Sequence, residues 1–198
     1  MKILVTGRTG QLGCELAHRL AQLGTVSALD RAGLDLGRPD SIRAAVSELR
    51  PDVIVNAAAY TAVDQAENEP EIAAAINVRG PQILAEAARR GGALLVHYST
   101  DYVFDGGKSA PYVEDDTPNP LGAYGRTKLE GERAIAAAGC RHLIFRTSWV
   151  YASRGKNFLL TIRRLAAERS ELRVVDDQFG APTSAAARSV RTWWRSRW

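Results

Sequence analysis

The feature that most restricts what this chain can become is a run of three glycines, Gly7, Gly10 and Gly13, spaced G-x-x-G-x-x-G. Residues 2–6 before it form a short apolar, β-rich run. Residues 15–23 after it place Leu16, Leu20 and Leu23 at helical spacing and stop at Gly24. Residues 25–29 are short and apolar again and end at Asp30. Strand, glycine turn, helix, strand is a βαβ unit. Glycine lets a backbone turn tightly and come close to a pyrophosphate, and the helix start supplies free N–H donors and a positive dipole. Glycines also serve ordinary turns; the strand–turn–helix setting is what points to a bound dinucleotide.

The alternation continues along the chain. Asp40-Ser41 reads as the N-cap of a helix over 41–49, and residues 52–56 as a strand buried on both faces. Residues 69–90 suit a long helix with a break near Gly80-Pro81, and 93–98 another buried strand. Residues 105–123, rich in proline and glycine, read as loop. Helices are expected over 124–138 and 157–169, and strands over 142–146 and 172–175. Strands alternating with helices predict the α/β class: a doubly wound, Rossmann-like parallel sheet with helices on both faces.

Composition sets limits. A chain of 198 residues can bury one sizeable core. With 45% hydrophobic and 24% charged residues it is not collagen-like, disulfide-dense or wholly disordered. No apolar run reaches membrane-spanning length, and the first glycine comes too early for a signal peptide, so a cytoplasmic address is expected. Cys14 and Cys140 form no motif, and no cluster has metal-ligand spacing. The net charge of +4 belongs to residues 188–198, which hold four arginines and no acid. Without them the chain carries 22 basic and 22 acidic residues, so the body offers no basic nucleic-acid-binding face.

Several residues carry candidate chemistry. Asp30 ends the second strand and can hydrogen-bond adenosine ribose hydroxyls, which favours NAD. Arg31 and Arg8 lie near it and can pair with a 2′-phosphate, which favours NADP, so the two signals conflict. Tyr124 and Lys128, four apart, share a helix face. A lysine there stabilises tyrosinate and lowers the tyrosine's pKa, which tunes the tyrosine as a general acid or base. Such a spacing also arises by chance on any helix. Thr100, after the strand at 93–98, offers either a hydroxyl for a reacting oxygen or a strand-end cap. Asn56 to Ala59 close another strand with small residues that permit close approach. His97, mid-strand, reads as a core histidine.

The segments GRTGQLG, NAAAYTAVDQAE, HYSTDYVFDG, YGRTKLEGE, FRTSWVY and VVDDQFGAPT occur in this order. Together they resemble the extended short-chain dehydrogenase/reductases, and among them the dTDP-4-dehydrorhamnose reductase family, over residues 1 to about 184. The resemblance implies reduction of the C4 ketone of dTDP-4-dehydro-L-rhamnose by NADPH or NADH, within nucleotide-sugar metabolism and lipopolysaccharide biosynthesis. It implies that Tyr124 protonates the ketone oxygen, Lys128 tunes it and holds the ribose, and Thr100 orients the carbonyl. It further implies Gly7, Gly10, Gln11, Leu12 and Gly13 around the pyrophosphate, and Asp30, Asp35 and Leu36 at the adenosine end. Ala59, Tyr60 and Thr61 would line the cofactor further along. Asp101 and Trp149 would contact the dTDP-sugar, although Trp149 also suits an ordinary core aromatic.

The resemblance is expected to stop after Ser184, where the chain turns alanine-, arginine- and tryptophan-rich. The expected organisation is a dinucleotide-binding domain over 1–150, a partial sugar-nucleotide lobe over 151–184 and an atypical tail over 185–198, as from a truncated or frame-shifted gene. Homodimerisation, possible in the family, is not expected of such a chain. Two other functions compete: a sister epimerase or dehydratase that retains its cofactor, and a non-catalytic NADP-binding regulatory subunit.

Overall fold

The computed structural model describes residues 1–186. Six parallel strands form one sheet: β1 (Lys2–Thr6), β2 (Thr25–Leu29), β3 (Val53–Asn56), β4 (Leu94–Thr100), β5 (Arg141–Tyr151) and β6 (Pro182–Ser184). Their spatial order is β2-β1-β3-β4-β5-β6. The helices are α1 (Gln11–Leu20), α2 (Pro39–Leu49), α3 (Pro70–Ala74), α4 (Gly80–Gly91), α5 (Ala123–Ala137) and α6 (Phe158–Glu168). This is the doubly wound parallel architecture that the alternation predicts.

The central strands are mostly apolar on both sides because helices cover both faces of the sheet. Side chains alternate along a strand, so the core is split in two. Leu4, Ile54 and Leu95 meet Ile42, Leu84 and Ile135 on one face. Ile3, Val5, Val55 and Val96 meet Leu12, Leu16 and Leu20 on the other. The chain leaves β1 to one side for β2 and later returns to its other side for β3. That reversal opens a crevice beyond the carboxyl ends of β1 and β3, the place where ligands bind in open α/β sheets.

Four elements differ from the sequence reading. Residues 172–175 form no strand: Val174 and Val175 are exposed, and the edge of β5 at Ser148–Tyr151 is taken by β6 instead. Strand propensity needs a free edge to act on, and a four-residue apolar run does not create one. β5 runs to Tyr151 rather than stopping at 146. The helix over 69–90 is not broken at Gly80-Pro81; a π-helical turn at Ala75–Arg79 joins α3 to α4. Pro81 has no N–H to give, and the wide turn before it accommodates that loss. Finally, α2 is capped by Arg38 with Pro39 opening the helix, and Ser41 Oγ instead accepts from the Asp35 amide at 3.0 Å. Cys14 and Cys140 are both free thiols. Among the described residues no helix is long and apolar enough to cross a membrane. Residues 187–198, most of the expected tail, lie outside the described residues.

Leu84 is fully buried between α4 and the sheet. Leu84→Ala is expected to lower the unfolding free energy by about 3 kcal/mol, read as a lower urea midpoint at unchanged slope.

Candidate functional site

The turn between β1 and α1 is built by its glycines. Gly7 has φ +74°, a region that side chains avoid, and a Cβ there would sit 3.0–3.1 Å from the backbone of Ala57 and Ala58. A Cβ on Gly13 would run into the Gly7 carbonyl. Gly10 opens α1 with no side-chain cap, and the first turn of α1 holds no acid. The uncapped N–H groups and the concave backbone beside them suit a phosphate. Gln11 and Leu12 contribute through the backbone only. The Leu12 side chain lies in the core. The Gln11 side chain donates to the carbonyls of Val150 (3.4 Å) and Lys156 (3.3 Å) and accepts from Asn157 (2.8 Å).

Asp30 stands at the end of β2, where its Oδ1 accepts from the amides of Ala32 (3.0 Å) and Gly33 (3.2 Å). Asp35 pairs with Arg31 at 3.2 Å and accepts from the Gly37 amide at 2.9 Å. These partners outweigh partial burial and hold its carboxyl below the usual value. The exposed Arg31 is thus tied to an acid. The Leu36 side chain is buried in the core. After β3, Ala59, Tyr60 and Thr61 follow the Ala57-Ala58 segment that Gly7 touches.

At the carboxyl end of β4, Thr100 Oγ1 accepts from the Tyr102 amide and donates to Asp101, both at 3.2 Å. It therefore caps the short turn at Asp101–Val103, the alternative that the sequence left open. Ser148 Oγ donates to the other Asp101 oxygen at 2.6 Å. Tyr124 lies in the first turn of α5, edge-on to Tyr102 with ring centroids 5.6 Å apart. Burial pushes the Tyr124 hydroxyl above its ordinary value; the Thr100 hydroxyl pulls it down, while Asp101 and Tyr102 push it up. The expectation that Lys128 lowers it is not met here. Lys128 Nζ turns instead into the sheet, donating to the Tyr98 carbonyl at 2.7 Å and facing His97 Nε2 at 3.1 Å. Helical spacing sets a shared face, but a four-carbon stem decides where the amine goes. Burial brings Lys128 down to about 8, against an opposing pull from Glu132.

Trp149 is not a core aromatic: it is 46% exposed, with φ +45° in a bulge of β5. A bulge re-aims a side chain, and a left-handed backbone under a tryptophan is strained. A Cβ on Gly180 would sit 2.7 Å from the Trp149 ring, so the chain at Gly180 lies against the indole.

Two residues that hold neighbouring segments in place, Glu67 and Asn77, escaped the sequence reading. Glu67 accepts from the Ala123 amide at 2.6 Å, capping α5 from 56 residues away. Asn77, buried in the π turn, accepts from the Tyr60 amide (2.9 Å), and donates to the Tyr60 carbonyl (3.1 Å) and to Thr127 (3.2 Å). Its only trace in the sequence is a polar residue inside an apolar helical pattern. His97 is buried as expected, but it is bonded to the catalytic candidate Lys128. Among the described residues no group of three or more His, Cys, Asp or Glu could hold a metal.

A glycine turn at the switch point of a parallel sheet, with a Tyr-x-x-x-Lys helix beside β4, defines a protein of the Rossmann-type class. Residues 1–192 match the family described as RmlD substrate binding domain, and the chain belongs to that family. It is 57% identical over 185 residues to the dTDP-4-dehydrorhamnose reductase of Burkholderia thailandensis, covering 93% of this chain and 62% of that one. The solved dTDP-4-dehydrorhamnose reductase of Clostridium acetobutylicum superposes with a TM-score of 0.93 at 42% identity, covering 97% of this chain and 69% of that one. That of Bacillus anthracis, solved in complex with NADP, gives 0.93 at 40% identity, covering 96% and 68%. The chain thus spans a little under two thirds of the length of its curated relative from Burkholderia.

Lys128 has a testable signature in stability. Its folded value of about 8 lies below its ordinary 10.5. The unfolded chain therefore binds more protons between those limits, and stability rises with pH across them. The wild type is expected to gain stability from pH 8 to 10.5 that Lys128→Met does not gain, measured by urea unfolding at both pH values.

Proposed function

We propose that this chain is built to reduce the C4 ketone of dTDP-4-dehydro-L-rhamnose to dTDP-L-rhamnose with NADPH or NADH. The observation that carries the reading is one of placement. Thr100, Tyr124 and Lys128 stand at the carboxyl end of β4, two strands from the glycine turn, in a chain of this family. The NADP complex of the Bacillus relative supports the cofactor. The glycine cradle and the uncapped start of α1 fit such a dinucleotide.

Each residue then has a task. The backbone of Gly7, Gly10, Gln11, Leu12 and Gly13 holds the pyrophosphate, and Asp30 and Asp35 border the adenosine end. Ala59, Tyr60 and Thr61 line the path between. The reduced nicotinamide, when bound, supplies hydride to the carbonyl carbon. Tyr124 stays protonated across neutral pH because burial raises it, so it has a proton to give to the carbonyl oxygen. Thr100 donates to that oxygen once its hydroxyl turns from Asp101 to it, and Lys128, whose amine stands beside Tyr98 and His97, borders the ribose. Asp101 and the exposed Trp149 meet the sugar. In this reading residues 1–150 carry the cofactor, residues 151–184 belong to the sugar-nucleotide lobe, and the reaction runs in the cytoplasm.

The test is loss of nicotinamide absorbance with dTDP-4-dehydro-L-rhamnose, for wild type and Tyr124→Phe. Turnover that falls about 10²–10⁴-fold in the variant is expected. NADPH binding without turnover would leave a cofactor-binding subunit, and tightly retained NAD in the purified protein would favour an epimerase or dehydratase.

A further inference from the structure

A row of buried polar side chains crosses the sheet from the glycine turn to Lys128. Thr6 pairs in register with Asn56, and Asn56 with His97. Thr6 Oγ1 donates to Asn56 Oδ1 at 2.6 Å and accepts from the Ala58 amide at 3.3 Å. Asn56 Nδ2 lies 3.0 Å from His97 Nδ1, and His97 Nε2 lies 3.1 Å from Lys128 Nζ. All four residues are 1% exposed or less. Apolar side chains would fill this row at no desolvation cost, so a row of polar ones calls for a use.

We propose that His97 is a positioning residue: its ring, steadied by Asn56 and Thr6, accepts a hydrogen bond from the Lys128 ammonium and fixes the amine at the end of β4. This rests on the reductase reading for its purpose, though not for its geometry.

Counting protons makes the proposal specific. An ammonium has only donors, so the ring nitrogen facing it must be bare and the ring proton must sit on Nδ1. Nδ1–H then needs an acceptor where Asn56 Nδ2 stands, so the Asn56 amide turns over and presents Oδ1 to the ring. The Asn56 amide donates in turn to Thr6 Oγ1, whose two lone pairs serve it and the Ala58 amide. The reverse order starts with Thr6 donating to Asn56 Oδ1 and the amide donating to Nδ1. It puts the ring proton on Nε2 and obliges Lys128 to be a free amine that accepts. The two ends of an amide have the same shape, so both orders fit the same heavy atoms. The row therefore has one proton order for each charge state of Lys128. The charged or titratable groups that act on Lys128 are His97 on β4 and Glu132 on its own helix, the latter paired with Arg146 of β5 at 2.7 Å. Burial and Lys128 together hold His97 well below the ordinary histidine range, so the ring itself stays neutral.

Nitrogen–proton correlation NMR of the His97 ring at about pH 6.5 reads the tautomer without any turnover. A proton on Nδ1 is expected; a proton on Nε2, or a charged ring, overturns the proposal. Two variants give a second test. His97→Gln keeps an acceptor for Lys128 and a donor for Asn56, and is expected to lower kcat/KM by no more than about fivefold. His97→Leu fills the slot with neither, and is expected to lose about a hundredfold while resisting urea at least as well as the glutamine variant. A purely structural histidine would make activity follow stability, and that order of results overturns the proposal. If the unaltered protein binds NADPH but turns over no sugar, the reductase reading fails, and the tautomer still decides the role of His97.

Discussion

Two stretches of backbone meet at the crevice so closely that no side chain fits between them. Gly7 abuts Ala57 and Ala58, and Gly13 packs on the Gly7 carbonyl. This contact joins the ends of β1 and β3 and aims the start of α1 at the space above them. The direction of α1 and the shape of the cradle follow from it. A methyl group at either glycine would push apart elements that the two cores hold together on both faces of the sheet.

The second constraint is polar. Parallel sheets are apolar inside, yet Thr6, Asn56 and His97 lie side by side within this one and end on a buried lysine. Hydrophobic residues of similar size would make a more stable sheet. Trp149, held at a positive φ where glycine would be relaxed, is a second departure of the same kind. Both lie toward the carboxyl ends of their strands, the end of the sheet at which Thr100 also stands.

What could be read from the sequence was what is local. The βαβ start, the helix of Tyr124 and Lys128 and the buried runs of β3 and β4 each lie within a short window, and each formed as its own residues predict. Contacts between distant segments left no such mark. Glu67 reaches Ala123 across 56 positions, and His97 reaches Lys128 across 31. The strand expected at 172–175 failed for the same reason. Its residues favour a strand, but the edge beside β5 went to Pro182–Ser184. Likewise the lysine's effect on Tyr124 was inferred from spacing, while the fold sends the amine toward His97. The cradle could be read before the structure; the supports beneath the reacting groups could not.

The cap that Glu67 places on α5 separates two parts of the chain that are neighbours in sequence. The first turn of α5 is anchored to the segment after β3 as well as to Pro120 and Leu121 of the proline-rich stretch that leads into it. Gly125 and Gly131 seat the helix further, lying against the carbonyls of Tyr102 and Asn77. Only the exposed tip of that stretch, Gly106 to Ala110, is thereby released from holding Tyr124 in place. That tip is where residues can be exchanged, by evolution or by design, with least effect on where Tyr124 stands.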